Sequence, residues 1–129
     1  MFTVRIITPQ GFYRQFQASI LNLRTTNGQI GLLANHMPLV AILETSIMNL
    51  VDEQKDRREF AIGEGVVYFE DNIAQVLVET CESKDEIDFQ RAKQAYERAQ
   101  QRLSKEYEDV DFQRAEKALK KAKNRLSLQ

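Results

Sequence analysis

The sequence has a single cysteine, a single histidine and no tryptophan. One cysteine, Cys81, cannot form a disulfide within the chain, so a reducing compartment is expected. No stretch approaches the roughly 18 apolar residues that a membrane-spanning helix needs. The first residues run directly into strand-like sequence, without the basic, apolar and small-residue regions of a secretory leader. We therefore expect a cytosolic protein that meets a membrane only through a partner.

The chain also has no large excess of charge of either sign. Its formal net charge is -1 over 129 residues, which gives no electrostatic reason to expect nucleic acid as a partner. Histidine, cysteine and carboxylate residues do not occur at metal-ligand spacing. Cys81 and His36 have no third group to orient them as a nucleophile and a base. The sequence therefore predicts neither a metal site nor a catalytic site, and no required cofactor.

Glycine and proline are confined to the first half of the chain, because all five glycines and both prolines precede Val66. Short runs of β-branched and aromatic residues occur there, at 2–8, 18–24, 38–43, 59–63 and 73–80. Turn sequences such as Asn27-Gly28 and Asp71-Asn72 separate them. Many short strands with regular turns predict an antiparallel β-sandwich over residues 1–82.

Residues 83–129 have the pattern of helices instead. Ser83 and Glu86 have the spacing of a capping box, which predicts that a helix begins there. Two apolar stripes follow at alternating spacings of three and four, the second 23 residues after the first. Their members are Phe89, Ala92, Tyr96, Ala99 and Leu103, then Phe112, Ala115, Leu119, Ala122 and Leu126. Narrow stripes with small alanines predict an antiparallel two-helix hairpin, and the fold class is therefore α+β.

The predicted connection between the two helices, residues 104–109, contains no glycine or proline. Helical hairpins commonly end their first helix at a glycine. The absence is consistent with a hairpin that opens so that both helices pack on a larger partner. It is equally consistent with a turn type that needs no glycine.

Several segments resemble the epsilon subunit of bacterial F-type ATP synthase. The run 28–40, Gly-Gln-Ile-Gly-Leu-Leu-Ala-Asn-His-Met-Pro-Leu-Val, is similar to a family segment that usually contains Leu-Pro-Gly-His and a Pro-Leu pair. Thr8-Pro9-Gln10-Gly11 resembles its Thr-Pro-x-Gly turn, and 60–69 resembles its Gly-Gly strand with Glu64 between the glycines. The chain departs from the family at Ala34-Asn35, where Pro-Gly is usual. The resemblance extends over essentially the whole chain.

The resemblance implies a non-catalytic rotor subunit that couples proton-driven rotation to ATP synthesis. In the family the β-domain contacts the gamma subunit and the membrane ring, and Gln29 and His36 are the residues expected at this rotor contact. The resemblance also implies a helical hairpin that inhibits ATP hydrolysis by rising along gamma towards the catalytic beta subunits. The implied location is peripheral, on the cytoplasmic face of the bacterial cell membrane.

The charge distribution fits a basic hairpin attached to an acidic domain. Residues 1–82 contain six Lys/Arg and ten Asp/Glu, a net charge of −4, whereas residues 83–129 contain twelve and nine, a net charge of +3. Lysines and one arginine accumulate between positions 117 and 125. They favour attraction to an acidic partner surface. Cations near a helix C-terminus also simply complement the helix dipole, and this interpretation stays open.

The resemblance further implies a regulatory ATP site. In some relatives the folded hairpin binds ATP through Ile/Leu-Asp-x-x-Arg-Ala, which Ile87, Asp88, Arg91 and Ala92 match here. Asp88 and the backbone at Ala92 are then expected at the adenine or ribose, Glu82 near the base, and the phosphates near a set of three arginines: Arg91, Arg98 and Arg125. Charge-assisted guanidinium donors suit phosphate.

The same motif has a plain structural interpretation. Asp88 and Arg91 could form a local ion pair in the first helical turn. The segment 110–115 repeats the pattern as Val-Asp-Phe-Gln-Arg-Ala, which shows that the pattern also has a use in helix formation. Two other function classes remain open: a stand-alone ATP-binding sensor and a coiled-coil adaptor.

Overall fold

The computed structural model describes residues 1–104 and 109–129, with the side chains of 109–111 left aside. The chain divides into two compact units, Met1–Ser83 and Lys84–Gln129, a division one residue later than the predicted boundary. Within the described residues the first unit contains nine strands: β1 (Phe2–Thr8), β2 (Gly11–Thr25), β3 (Gly28–Leu33), β4 (Leu39–Leu43), β5 (Ser46–Asp52), β6 (Arg57–Ile62), β7 (Gly65–Glu70), β8 (Ile73–Val78) and β9 (Cys81–Ser83). The second unit contains two helices, α1 (Phe89–Leu103) and α2 (Asp109–Leu126).

The strands form two layers that share the long strand β2. Residues 11–18 of β2 pair with β1, and residues 18–25 pair with β3 and β5. The first layer continues from β1 through β8 and β7 to β4, and the second from β5 through β6 to β9. This arrangement confirms the predicted β-sandwich followed by a helical part.

One strand pair differs from the antiparallel prediction. β1 and β8 run parallel, with Val4 opposite Ala74 and Ile6 opposite Val76, so the sheet is mixed. A tight hairpin forces two strands to be antiparallel, but β1 and β8 are separated by six strands. The relative direction of β1 and β8 is therefore set by the path of the chain between them, which the sequence of either strand does not encode.

The core lies between the two layers and is built from alternate residues of the strands. Phe2, Val4 and Ile6 of β1 are at most 1% exposed, while the residues between them are half-buried. The Phe2 and Phe69 rings meet edge to face with centroids 5.5 Å apart. Such alternation places polar residues on the outer faces and apolar ones inside, as a half-buried strand requires.

A buried carboxylate closes the connection between β5 and β6. Asp52 is 4% exposed and accepts hydrogen bonds from Arg58 Nε at 2.8 Å and from the backbone N–H groups of Gln54 and Asp56. The Arg58 hydrogen bond, above all, holds the pKa of Asp52 below its usual value, despite the opposing effect of burial. The Arg58 guanidinium also lies 5.3 Å from the centre of the Phe16 ring. Arg58, which looks like a plain surface residue in the sequence, therefore fixes this turn.

The short connection between β6 and β7 brings two backbones unusually close. A Cβ atom on Gly65 would lie 2.0 Å from the carbonyl oxygen of Leu77 on β8. A Cβ on Gly63 would lie 2.9 Å from Thr80 Oγ1. Glycine is required at position 65 because the obstructing atom belongs to the backbone and cannot rotate away.

The helical unit confirms the predicted apolar stripes, with one exception. Ala92, Ala99, Ala115 and Ala122 are buried, and α1 packs on α2. Phe112 is 44% exposed, so this stripe position is not buried in the pair. The glycine-free connection lies largely at 105–108, outside the described residues. No helix in the described part of the chain is long and apolar enough to cross a membrane.

The predicted helix start at Ser83 is wrong. Ser83 is the last residue of β9 and pairs with Phe60, and residues Lys84–Glu86 form a single 3-10 turn. α1 begins at Phe89, with Asp88 in an extended conformation as its N-cap. Pairing with β6 occupies Ser83, and Asp88 offers the next side chain able to cap a helix.

Substituting Gly65 by alanine should destabilise the protein by at least about 2 kcal/mol, because the new Cβ cannot avoid the Leu77 carbonyl. Urea unfolding followed by circular dichroism measures this. The matched control is Gly31→Ala, whose Cβ would meet two side-chain atoms, Asn22 Oδ1 at 3.2 Å and Ile20 Cδ1 at 3.9 Å. Because these atoms can shift, this variant should cost less than about 1 kcal/mol. Equal unfolding midpoints for the two variants would contradict the requirement for glycine at position 65.

Candidate functional site

Two asparagines join the β3–β4 loop to the β7–β8 turn at one end of the sandwich. The backbone N–H of Asn35 donates to Asn72 Oδ1 at 2.6 Å, and Asn72 Nδ2 donates to Asn35 Oδ1 at 2.9 Å. The N–H of Thr3 at the start of β1 donates to the Asn72 carbonyl at 2.9 Å. The loop that carries His36 is therefore held on the body of the first layer.

Asn35 has a backbone conformation that glycine and asparagine adopt more readily than other residues. Its φ is +64°, in the left-handed region that asparagine tolerates better than most residues. Asn72 has φ +59°. A glycine would adopt the same conformation but could not donate or accept through a side chain. Asparagine thus fits the conformation of this turn and also makes the amide contact to Asn72.

His36 lies at the surface beside this asparagine pair. Its ring meets the Phe69 ring edge to face at 5.7 Å, and its Nδ1 lies 2.7 Å from the Met37 carbonyl oxygen. Met37, the next residue, is 75% exposed. The loop therefore presents an apolar tip of fixed shape.

An apolar surface covers the outer side of strands β4 and β7. Val40 and Ile42 are 64% and 62% exposed, and Tyr68 is 46% exposed. Val40 pairs directly with Tyr68, and Ile42 with the half-buried Val66. These four residues are called the apolar face below. Contiguous exposed apolar groups of this kind mark interaction surfaces in water-exposed domains.

The structure separates the two residues predicted at the rotor contact. Gln29 lies at the start of β3, opposite Arg24, and His36 follows the other end of that strand. At about 3.3 Å per residue the six-residue strand holds its ends about 17 Å apart. Gln29 and His36 therefore belong to two surfaces: Gln29 to the outside of the second layer and His36 to the end of the first.

The residues of the ATP-binding hypothesis fall into both units. Glu82 is a half-buried residue of β9, opposite Ala61, in the first unit. The other six belong to the second unit, where Ile87 and Ala92 are buried, Arg125 is half-buried, and Asp88, Arg91 and Arg98 are exposed. Arg91 and Arg98 are seven residues apart on α1, so they share one side of the helix about 10 Å apart.

Asp88 acts as a helix cap. Its Oδ1 accepts from the backbone N–H of Arg91 at 3.0 Å, and its carbonyl accepts from the N–H of Ala92, also at 3.0 Å. Among the described residues no ion pair joins the Asp88 carboxylate to the Arg91 guanidinium, which leaves the cap as the local role of Asp88. The Ala92 N–H is already engaged, so an adenine contact through it requires this first turn to change.

Within the described residues no group of three or more histidine, cysteine or acidic side chains is placed to hold a metal ion. Cys81 is buried in the sandwich core.

Family models match both units of the chain. Residues 1–84 match the ATP synthase Delta/Epsilon chain beta-sandwich domain, and residues 85–128 match the long alpha-helix domain of the same chain. The ATP synthase epsilon chain of Brevibacillus brevis is 36% identical over 105 residues, covering 81% of this chain and 80% of that one. That of Alkaliphilus oremlandii is 39% identical over 103 residues, covering 80% and 76%.

Two solved structures share the fold. A chain of the Euglena gracilis mitochondrial ATP synthase, solved with OSCP, F1 and the c-ring, superposes with a TM-score of 0.81 at 21% identity, covering 94% of this chain and 76% of that one. A chain of the Tetrahymena thermophila mitochondrial ATP synthase central stalk and c-ring superposes with a TM-score of 0.68 at 12% identity, covering 97% and 93%.

A β-sandwich followed by a packed helix pair, with both parts matched in order, defines a non-catalytic subunit of ATP synthase. The chain belongs to the Delta/Epsilon chain family of ATP synthase, and its bacterial relatives are epsilon chains.

Replacing Asp88 by alanine should destabilise α1 by about 1 kcal/mol, since the N–H of Arg91 loses its acceptor. Amide exchange of the first turn of α1 measures this loss. Asp88→Asn keeps a capping oxygen and should retain most of the protection. Arg91→Gln is the second control, and a loss equal to that of Asp88→Ala would show that an ion pair, and not the cap, stabilises the turn.

Proposed function

We propose that this chain is the epsilon subunit of the central stalk of a bacterial F-type ATP synthase. In that role it couples proton-driven rotation to ATP synthesis, and its helical unit restrains ATP hydrolysis. The observation that carries the proposal is the match of both units, in order, to the two domains of one ATP synthase chain. The two solved structures of similar fold come from assemblies with a c-ring, which supports a place near that ring.

The apolar face is the proposed contact with the gamma subunit. Val40, Ile42 and Tyr68 present exposed apolar atoms on two paired strands, a surface that favours a protein partner over water. The His36–Met37 tip lies beside the first layer and extends this contact. Gln29, at the other end of β3, makes a separate contact, for which the membrane ring is the proposed partner.

The helical unit is the proposed regulator of ATP hydrolysis. Its buried stripe contains alanine at four positions, and alanine supplies little apolar area to hold α1 against α2. α2 carries basic residues through its last turn, including Lys123 and Arg125. A modest apolar contact and a basic surface together favour exchange of the helices onto an acidic surface of the catalytic beta subunits.

ATP is the proposed regulatory ligand of the folded helices. Arg91 and Arg98 are exposed on one side of α1, and Arg98 Nε makes a long 3.5 Å contact to the Gln94 carbonyl. Their spacing of about 10 Å suits a triphosphate, which offers several anionic oxygens along its length. Arg125 is the third proposed phosphate ligand. Ile87 and Ala92 shape the first turn, and Asp88 and Glu82 are proposed to contact the nucleoside.

Adding the full chain to purified stalk and catalytic subunits should lower their ATP hydrolysis. Val40→Asp should weaken binding of the chain to the gamma subunit at least about 10-fold, since a buried unpaired carboxylate replaces an apolar contact. Gln54→Asp adds the same charge at an exposed turn residue and should change binding less than about 2-fold.

A chain ending at Ser83 extends this test, because it retains the sandwich core and its apolar face. This shortened chain should bind the stalk subunits as tightly as the full chain does, but it should no longer lower ATP hydrolysis. If the full chain alters neither coupling nor hydrolysis, the rotor proposal is wrong and the coiled-coil adaptor or sensor becomes the better interpretation.

Calorimetric titration of the full chain with ATP tests the ligand. Arg91→Ala should weaken binding about 10-fold, the expected effect of removing one charge-assisted phosphate contact. Lys93→Ala removes an exposed cation from a different side of α1 and should change the affinity less than about 3-fold. Equal heats for the wild type and Arg91→Ala would rule out the assignment.

A further inference from the structure

Most arginines of the acidic β-sandwich already have close partners. Arg5 donates from Nε to Gln15 Oε1 at 3.3 Å, Arg14 lies 5.1 Å from the centre of the Tyr13 ring, and Arg58 is bound to Asp52. These contacts account for three of the five arginines among residues 1–82. The other two are Arg24 and Arg57.

Arg24 and Arg57 are held only loosely by neighbouring acids. Arg24 Nε lies 4.0 Å from Glu44 Oε2, and Arg57 Nε lies 4.0 Å from Glu59 Oε1. The side chains of Arg24 and Arg57 are 58% and 64% exposed. At that distance and exposure an ion pair contributes little, so both guanidinium groups keep donors for another anion.

Both arginines line one groove on the outer face of the second layer. The groove encloses about 470 Å³, and none of its lining residues is acidic. Gly31 forms part of its floor, where a Cβ would lie 3.2 Å from Asn22 Oδ1. Asn22 Nδ2 donates to Asn49 Oδ1 at 2.9 Å, which leaves the Asn49 amide nitrogen as a further donor in the groove.

The strand register sets the distance between the two arginines. Asn22 pairs with Asn49, which places Arg24 level with Ile47, and Arg57 pairs with Val51. The two Cα positions therefore differ by four residues, about 13 Å, along the strands and by two strand spacings, about 10 Å, across them. The straight-line separation of the two Cα atoms is therefore about 16 Å. One small anion cannot reach both arginines, whereas an extended peptide covers about 13 Å in four residues and its glutamate side chains cover the rest.

We propose that this groove binds an extended acidic segment of a protein partner, with one carboxylate at Arg24 and a second at Arg57. The amides of Asn49 and Gln29 donate to the segment between them. The lining contains two arginines and no acidic residue, on a domain of net charge −4, so an acidic segment is attracted here more than to the rest of the domain. Gln29 also lines the groove, so the segment and the proposed ring contact share this surface, and the titration below tests the groove without the ring.

The test titrates the full chain, labelled with 15N, with a nine-residue peptide that carries two glutamates four residues apart. Amide signals of Gly31 and Asn49 should shift, and the double variant Arg24→Gln/Arg57→Gln should weaken this binding at least about 10-fold. Arg5→Gln removes an arginine outside the groove and should leave the peptide affinity unchanged. The readout is residue by residue because the basic end of α2 also attracts acidic peptides.

Three results of the peptide titration would overturn the proposal, and a fourth comes from the phosphate control. The first is a set of shifts confined to α2, the second is equal binding of the peptide with glutamines in place of glutamates, and the third is unchanged binding by the double variant. Inorganic phosphate serves as the small-anion probe and should shift the groove amides at least about 10-fold more weakly than the peptide. Equal affinity for phosphate would show a simple anion site and no recognition of an extended segment.

Discussion

The sandwich depends on one strand that belongs to both of its layers. β2 is fifteen residues long and changes partners between Ala18 and Ile20, where its register with β5 shifts. Because side chains alternate along a strand, the residues of β2 that point inward build the core of both layers. The outward positions are then fixed as well. The apolar face belongs to the outside of the first layer and the arginine groove to the outside of the second, so one strand separates two surfaces of opposite chemistry.

Strands were predictable from sequence where their apolar pattern is simple. β1 is such a case, since Phe2, Val4 and Ile6 alternate with less buried residues. β5 lacks a clear pattern because its buried ends are Ser46 and Asp52, which are polar. Asp52 is tolerated inside only because Arg58 and two backbone N–H groups satisfy it. That compensation comes from residues beyond the strand, and a pattern within the strand cannot reveal it.

Non-local pairing also explains the other differences between prediction and structure. The capping signal at Ser83 is real chemistry, but pairing with Phe60 places Ser83 in a strand and moves the helix start to Phe89. The apolar stripes of α1 and α2 depend on a 3.6-residue period within one helix and were predicted correctly apart from Phe112. Gln29 and His36 are close in sequence, yet an extended strand separates them more widely than a helix of equal length would.

The motif that suggests ATP binding contains residues with two different roles, and the structure distinguishes them. Ile87 and Ala92 are buried and Asp88 caps α1, so three of the four specified residues have a task in forming the helix. The repeated segment at 110–115 lies in the first turns of α2, where Ala115 is buried as Ala92 is in α1. Arg91 is the exception, because its exposed side chain contributes nothing evident to the first turn. Within the motif, Arg91 is therefore the residue that helix formation does not explain, and Arg98, outside the motif, lies two turns further along the same side of α1.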